Sequence, residues 1–234
     1  MKKSILISIQ VGLPREIMDN DPSGSAGPWS TGLFKEPAQG PLWLGKTNLA
    51  GDGQADLKNH GGPDKAVNAY PIEHYAFWRK ETGRAELANG AFGENFTTEG
   101  ILEETVCIGD VYSVGEAKVQ VSQPRQPCWK IARRWGIKDL ARLVQDTGRT
   151  GWYFRVIQEG TVNSGESMEL IERPCPEWTL AKANDIMHRR AEDKYLRLEL
   201  SRCPYLSVSW RNTLSESSLK SLTKRIGARL KGSK

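Results

Sequence analysis

Near the start of the chain hydrophobic side chains recur at every second position, with Ile5, Ile7, Ile9 and Val11 separated by smaller or polar residues until Gly12 and Pro14 end the run. A period of two puts alternate side chains on one face, so this segment predicts a first β-strand. Ser8 and Gln10 interrupt the apolar run and Pro14-Arg15-Glu16 follows at once, which argues against a secretory leader. Across residues 21–53 glycine and proline recur too often for a long helix, and short strands with turns are expected. Pro71-Ile72-Glu73 then opens a predicted helix running through Trp78 to Thr82, with proline and an acid at its start and Gly83 after its end.

The period of two returns between residues 106 and 122, where Val111, Val114, Val119 and Val121 are divided by the turn pairs Gly109-Asp110 and Gly115-Glu116. Consecutive hairpins are expected there. Leu140, Leu143, Val144 and Thr147 fall at helical spacing before Gly148. Strand patterns resume over residues 152–157 and 166–171, around a turn at Glu159-Gly160. So many short strands suggest a sheet closed, or nearly closed, into a barrel.

Arg173-Pro174-Cys175-Pro176 marks a change, because two prolines in three residues continue neither a ladder nor a helix interior. Beyond it, Thr179 is placed to cap a helix towards Arg190, Leu196 and Leu200 form a second short apolar face, and Ser215 is placed to cap a helix with Leu219, Leu222, Ile226 and Leu230 on one side. The expected architecture is mostly β with some α: a barrel-like domain over residues 1–176 and a small helical appendage over 177–234.

Composition narrows the class. Of 234 residues, 38% are hydrophobic and 26% charged, as in water-soluble globular domains, and no run approaches the ~20 apolar residues of a membrane span. The four cysteines show no CxxC pair or zinc-knuckle spacing and nothing indicates export, so a reducing cytoplasmic location is expected. Net charge is +5, yet from Glu177 onward there are 13 Lys/Arg against 6 Asp/Glu, or +7, which leaves about −2 for residues 1–176. Extended nucleic acid calls for a positive face, which the larger part does not offer.

Four segments hold candidate chemistry. In Lys58-Asn59-His60-Gly61-Gly62-Pro63-Asp64-Lys65, adjacent glycines flanked by cations suit an anion, although a turn stabilised by Asp64 explains the loop as well. In Gly93-Glu94-Asn95 a turn closed by the Asn95 side chain competes with ligand binding. In Gln123-Pro124-Arg125-Gln126-Pro127-Cys128-Trp129-Lys130, Arg125 and Lys130 flank a thiol; nearby cations favour the thiolate, the form that attacks electrophiles and binds metals. Cys128 is therefore the reactive-cysteine candidate, against the alternative of a buried, inert thiol. Finally, Gly148-Arg149-Thr150-Gly151-Trp152-Tyr153-Phe154-Arg155 alternates arginine with aromatics, a fit for an anionic heterocycle.

Taken in order, His60-Gly61-Gly62-Pro63-Asp64-Lys65-Ala66-Val67 with Tyr70-Pro71, Phe92-Gly93-Glu94-Asn95, Gly109-Asp110, Pro124-Arg125-Gln126-Pro127-Cys128 and Gly148-Arg149-Thr150-Gly151-Trp152 resemble MOSC domains of the YiiM type over nearly the whole chain, with Asn68 as a departure. The tail, including Ser207-Val208-Ser209-Trp210-Arg211, resembles the three-helix segment that accompanies that subfamily. The resemblance implies a β-barrel-like domain holding molybdenum on a pyranopterin dithiolene (molybdopterin), with Cys128 as metal ligand. It further implies reduction of N-hydroxylated bases of the hydroxylaminopurine type to amines.

On that footing Lys58, His60, Lys65, Asn95, Arg125, Lys130, Arg149 and Arg155 are the expected cofactor contacts, and His60 and Asp64 the expected proton donors. A carrier or sulfur-transfer module using Cys128 is the alternative. The chain has no GxGxxG after a strand and no iron–sulfur spacing. A separate flavoprotein reductase is therefore the expected electron donor, with the basic C-terminal helix as a candidate docking surface and neither membrane nor nucleic acid as a partner.

Overall fold

The structure, a computed structural model, describes residues 4–18, 27–216 and 218–231. Residues 21–26 of the loop-rich stretch and the side chains of Leu219 and Leu222 lie outside the described residues. In chain order the strands are β1 (Ile5–Val11), β2 (Arg15–Ile17), β3 (Trp29–Thr31), β4 (Glu36–Pro37), β5 (Leu42–Leu44), β6 (Val67–Pro71), β7 (Phe96–Glu99), β8 (Val111–Val114), β9 (Ala117–Pro124), β10 (Trp152–Gln158), β11 (Gly160–Val162) and β12 (Met168–Glu172). The helices are α1 (Leu57–His60), α2 (Glu73–Thr82), α3 (Trp129–Trp135), α4 (Leu140–Thr147), α5 (Leu180–His188), α6 (Lys194–Ser201), α7 (Val208–Leu214) and α8 (Leu219–Lys231).

Eight strands form one curled sheet in the order β12-β8-β9-β10-β6-β7-β1-β4. Its pairs are antiparallel except β6 with β7, which are parallel because α2 intervenes as the crossover. The sheet's ends meet where Leu6 N donates to Glu166 O at 2.9 Å, Gly165 N to Leu6 O at 2.7 Å and Met168 N to Ser4 O at 2.9 Å. These bonds satisfy backbone groups that an open edge would expose, so the barrel expected from the strand pattern is a curled, nearly closed sheet.

The alternation in β1 fails at one point. A shift in register between Leu6 and Ser8 swaps the buried face, so Leu6, Ile9 and Gln10 are interior while Ile5 and Ile7 are half-buried. The turn expected at Glu159-Gly160 is likewise replaced, because Gly160 pairs with Leu44 as the first residue of β11. That strand belongs to a separate two-stranded sheet with β5, a partner more than a hundred residues distant that no local signal could specify.

The hairpin of β8 and β9 turns at Gly115-Glu116 as expected, with Gly115 at φ 52°. After the proline-rich junction come four helices among the described residues rather than three. Thr179 Oγ1 accepts from Lys182 N at 3.2 Å as the expected cap of α5, and Ser207 Oγ accepts from Trp210 N at 3.2 Å to start α7. Ser215 ends α7 instead of starting α8; that cap falls to Ser218, whose Oγ accepts from Ser221 N at 3.3 Å.

Leu180, Ile186 and Trp210 share one apolar cluster with Leu6, Val119 and Phe154, so the core runs unbroken from the barrel into the helices. A second cluster, with Tyr70, Trp78, Phe92, Ile131 and Val144 among its members, packs α2, α3 and α4 beside the sheet. Together they hold the end of β9 against the start of α3.

A candidate active site around Cys128

Cys128 sits where β9 ends and α3 begins. Its backbone is extended, at φ −117° and ψ 165°, and its side chain makes no capping bond to the helix. The thiol, on a residue 8% exposed, lines a cleft with His60, Lys65, Arg125, Lys130 and Tyr153. The strand before it is anchored by Arg125 N donating to Gly151 O at 3.0 Å. The carbonyl just before the thiol, Pro127 O, accepts from Arg229 Nη1, while Arg229 Nη2 donates to Gln145 Oε1 at 2.6 Å. A residue of α8 thus braces the Cys128 loop from the far end of the chain.

The opposite wall is the 56–65 segment. Asp56 caps α1, its Oδ1 accepting from Asn59 N at 3.0 Å, and Gly61 N returns to Leu57 O at 3.2 Å. A Cβ at Gly61 would lie 2.9 Å from that carbonyl, and Gly62 has φ 92°, so both glycines are required by the turn itself. This revises the expectation that their amides face a ligand: the Gly61 amide is spent on the helix, and the turn is capped by Asp56 rather than Asp64. Lys65 Nζ donates to Asn59 O at 2.6 Å and Lys130 Nζ to Ser30 O at 2.8 Å, both beside the cleft and neither held by a carboxylate among the described residues.

A polar floor lies below. Lys35 and Asp52 form a buried ion pair, and Asp52 also accepts from Gly12 N at 3.0 Å and Asn95 Nδ2 at 2.9 Å. Burial lowers the Lys35 pKa, and the neighbouring Asp52 opposes the shift. Asn95 Oδ1 further accepts from Asn68 N at 3.1 Å, so Asn95 lines the cleft as a strut between strands; the turn expected from its side chain is closed instead by Glu94, which accepts from Gly90 N at 2.7 Å and Phe92 N at 3.1 Å.

Electrostatics set the remaining groups. Burial, then the charges of Lys65, Arg125 and Lys130, hold the His60 ring down at about 4 against the weaker pull of Asp56, so it is neutral near pH 7. Burial also lowers Lys65 and raises Tyr153, the latter opposed by the charge of Arg125. Arg125 itself is 4% exposed and its Nη1 has no hydrogen-bond partner. Asn68 Oδ1 beside it is also buried and unpartnered. A buried guanidinium donor left unmade is costly, and an anionic ligand is the natural complement.

Of the residues expected at the site, His60, Lys65, Asn95, Arg125, Cys128 and Lys130 converge on this cleft, and Lys58 lines a wider outer cleft continuous with it. Asp64, Arg149 and Arg155 line neither. Arg155 Nη2 pairs with Asp64 Oδ1 at 2.8 Å while its Nη1 donates to Gln120 Oε1 at 3.0 Å; Asp64 in turn accepts from Val208 N at 3.3 Å, tying the loop to α7. Arg149 lies over the Phe77 ring at 4.1 Å. Neither arginine of that segment therefore reaches the cleft: Arg155 leaves β10 towards Asp64 and Arg149, ahead of the strand, packs on α2, while Tyr153 between them does line it. Lys35, Asp52, Tyr153 and Arg229 were not anticipated. Only the Gly51-Asp52-Gly53 turn hints at Asp52, and nothing local joins Arg229 to Cys128.

Residues 56–169 match the MOSC domain and residues 178–225 match the YiiM-like, 3-alpha helix domain. Protein YiiM of Escherichia coli is 39% identical over 202 residues, which cover 86% of this chain and 90% of that protein. The chain belongs to the MOSC family, in its YiiM-like branch.

Further relatives are similar over much of the chain. The uncharacterized protein YflK of Bacillus subtilis is 50% identical over 181 residues, 77% of this chain and 81% of that one. A protein of Gibberella moniliformis called reductase is 31% identical over 206 residues, 87% of this chain but 36% of its own length. The crystal structure of YiiM from Geobacillus stearothermophilus superposes with TM-score 0.74 at 35% identity, covering 95% of this chain and 99% of that one. The MOSC match contains His60, Arg125 and Cys128, while Arg229 lies beyond the residues matched by the helical family. Among the described residues no helix is long and apolar enough to cross a membrane.

Proposed function

We propose that this protein is a molybdenum-cofactor-dependent reductase of N-hydroxylated bases, converting R–NHOH, two electrons and two protons to R–NH2 and water. The observation that carries the reading is the unpartnered Nη1 of buried Arg125 in the same cleft as Cys128, which pairs a soft sulfur donor with an unmet demand for an anion. A pyranopterin carrying a phosphate and a dithiolene answers both. The residues present fit that group: Cys128 Sγ would hold the metal, Arg125 with Lys65 or Lys130 the anionic portion, and Asn68 Oδ1 an N–H of the heterocycle. When bound, the cofactor would supply the two-electron exchange.

This chain's own residues bind, orient and move protons. Arg229 holds Pro127 O and so aims the thiol. His60 is neutral near pH 7 and offers a ring N–H to a hydrogen bond rather than an imidazolium proton. Asp64, turned to Arg155, is withdrawn as a donor. Proton delivery to the departing oxygen falls to Lys65 Nζ, whose burial weakens its hold on the proton and whose ammonium lines both clefts.

The electron source is a separate flavoprotein, since the chain carries no nucleotide-binding or iron–sulfur motif. Exposed Lys220 and Lys224 of α8 are its docking charges. The test is molybdenum analysis and turnover of a hydroxylamine with a reduced dye. Stoichiometric metal with turnover supports the reductase, metal without turnover supports a cofactor carrier, and absence of metal after expression with cofactor supply overturns both.

A further inference from the structure

Beyond Cys128 the cleft widens into a second space of about 1400 Å³ between the 56–65 segment and the helices α7 and α8. The two spaces share His60, Lys65, Cys128 and Lys130, so a ligand reaching the thiol from solvent has room to lie along the outer one. The inner cleft has its own anion demand at Arg125. The outer cleft has another: Lys58 on one wall, Arg225 and Arg229 on the other, and Asp56 as the carboxylate among the lining residues. Arg229 is committed to Pro127 O and Gln145 Oε1, which leaves Lys58, with no carboxylate partner among the described residues, and Arg225, which donates to Glu216 at 3.0 Å and Thr213 Oγ1 at 3.2 Å while its side chain stays 58% exposed to a further ligand. Two anion demands separated by a thiol are more than one phosphate-bearing cofactor needs.

The lining of the outer cleft includes Trp129, whose ring lies against Trp29 at 5.7 Å and under the Arg133 guanidinium at 5.4 Å. Held from two sides, this indole gives the outer cleft an aromatic surface next to Cys128, suited to a planar base. We infer that the outer cleft is a nucleotide site, taking the substrate as a 5′-monophosphate with its base towards Cys128 and its phosphate on Lys58 and Arg225. The inference rests on the reductase reading for the N-hydroxylated base, and extends it from free base to nucleotide.

The test is calorimetric titration of the full-length holoprotein with adenosine and with adenosine 5′-monophosphate, neither of which is reduced. The monophosphate should bind about tenfold or more tightly than the nucleoside, the scale of one charge-assisted phosphate contact, with a preference that shrinks as salt rises. The double variant Lys58→Gln/Arg225→Gln should lose that preference while keeping its molybdenum content. Lys58→Gln alone removes an exposed side chain with no hydrogen-bond partner among the described residues, and should lose part of the preference without any change in melting temperature. Equal affinity for the two ligands would overturn the inference. So would a double variant that retains the preference, or one that loses molybdenum instead, which would assign these cations to the cofactor's phosphate. A holoprotein that prefers the monophosphate yet reduces no hydroxylamine would sink the reductase reading while leaving the phosphate site in place.

Discussion

Replacing Arg125 by methionine separates binding from folding in a single side chain. The guanidinium is buried, with Nη1 unpartnered and the Tyr153 hydroxyl close enough to feel its charge. An unsatisfied buried donor costs about 1–3 kcal/mol, and a hydrogen bond to a charged group contributes about 1.5–3 kcal/mol. Methionine fills similar volume without either, so the two contributions nearly cancel. Stability of the cofactor-free protein should change by less than about 2 kcal/mol, a shift in Tm of less than about 8 °C for a chain of this size. Cofactor affinity should fall by about ten- to a hundredfold, because the contact that Arg125 would make to the cofactor's anionic group has no substitute. Urea melts of the cofactor-free protein and molybdenum content of the holoprotein read the two effects independently. The comparison variant is Asp52→Ala, which strands buried Lys35 and should cost about 3–5 kcal/mol. If Arg125→Met unfolded as readily as Asp52→Ala while retaining full molybdenum, the orphaned donor would be a structural feature and the reasoning from it would fail.

Cys128→Ser should lose molybdenum and turnover with little change in folding, since a hydroxyl is a poor soft-metal ligand; full metal retention in that variant would remove Cys128 from the site. Arg155→Ala should reduce stability by about 1–2 kcal/mol and leave cofactor content unchanged, because its partners are Asp64 and Gln120; loss of cofactor without loss of stability would return it to the site. Burial and the charges of Arg229 and Arg189 depress His188 to about 3 from an ordinary 6.5, so the unfolded chain takes up its proton first and stability present above about pH 6.5 is lost as pH falls towards 3. His188→Gln should flatten the decline in urea-melt stability between about pH 7 and about pH 5, and an unchanged slope would place that proton elsewhere. Holoprotein with NADPH alone should be inactive and a reduced dye should restore turnover, whereas NADPH-driven turnover by the isolated chain would refute a separate donor.

Local pattern carried a good deal of this protein. Alternating apolar residues marked β1, the β8–β9 hairpin and β10; helical spacing with proline, threonine and glycine at the ends marked α2, α4 and α5; and the cations around Cys128 singled out that thiol from four. Each of these depends on neighbours within a few positions, where period, capping and turn chemistry act. Short α3 was not foreseen, because its seven residues, Trp129–Trp135, hold three cations and two tryptophans with little apolar period. The pairing of β11 with β5, the bulge in β1 and helix α7 also escaped, since burial on a distant partner decides them.

The site divides along the same line. Residue types suited to an anion and a metal were legible in the sequence because guanidinium, ammonium and thiol chemistry belongs to the side chain itself. Which of them share a cleft was decided only by the tertiary structure. Arg125 and Arg155 look alike in sequence, but one ends β9 with a nitrogen unpartnered and the other turns from β10 to Asp64. Arg229 reads as one charge on a solvated helix until folding carries it across 102 positions to Pro127 O, and Asp52 becomes the counter-charge of Lys35 only when the barrel buries both. Covalent chemistry travels with the residue, whereas direction, burial and the identity of a partner arise from the closing of the sheet and the packing of helices against it.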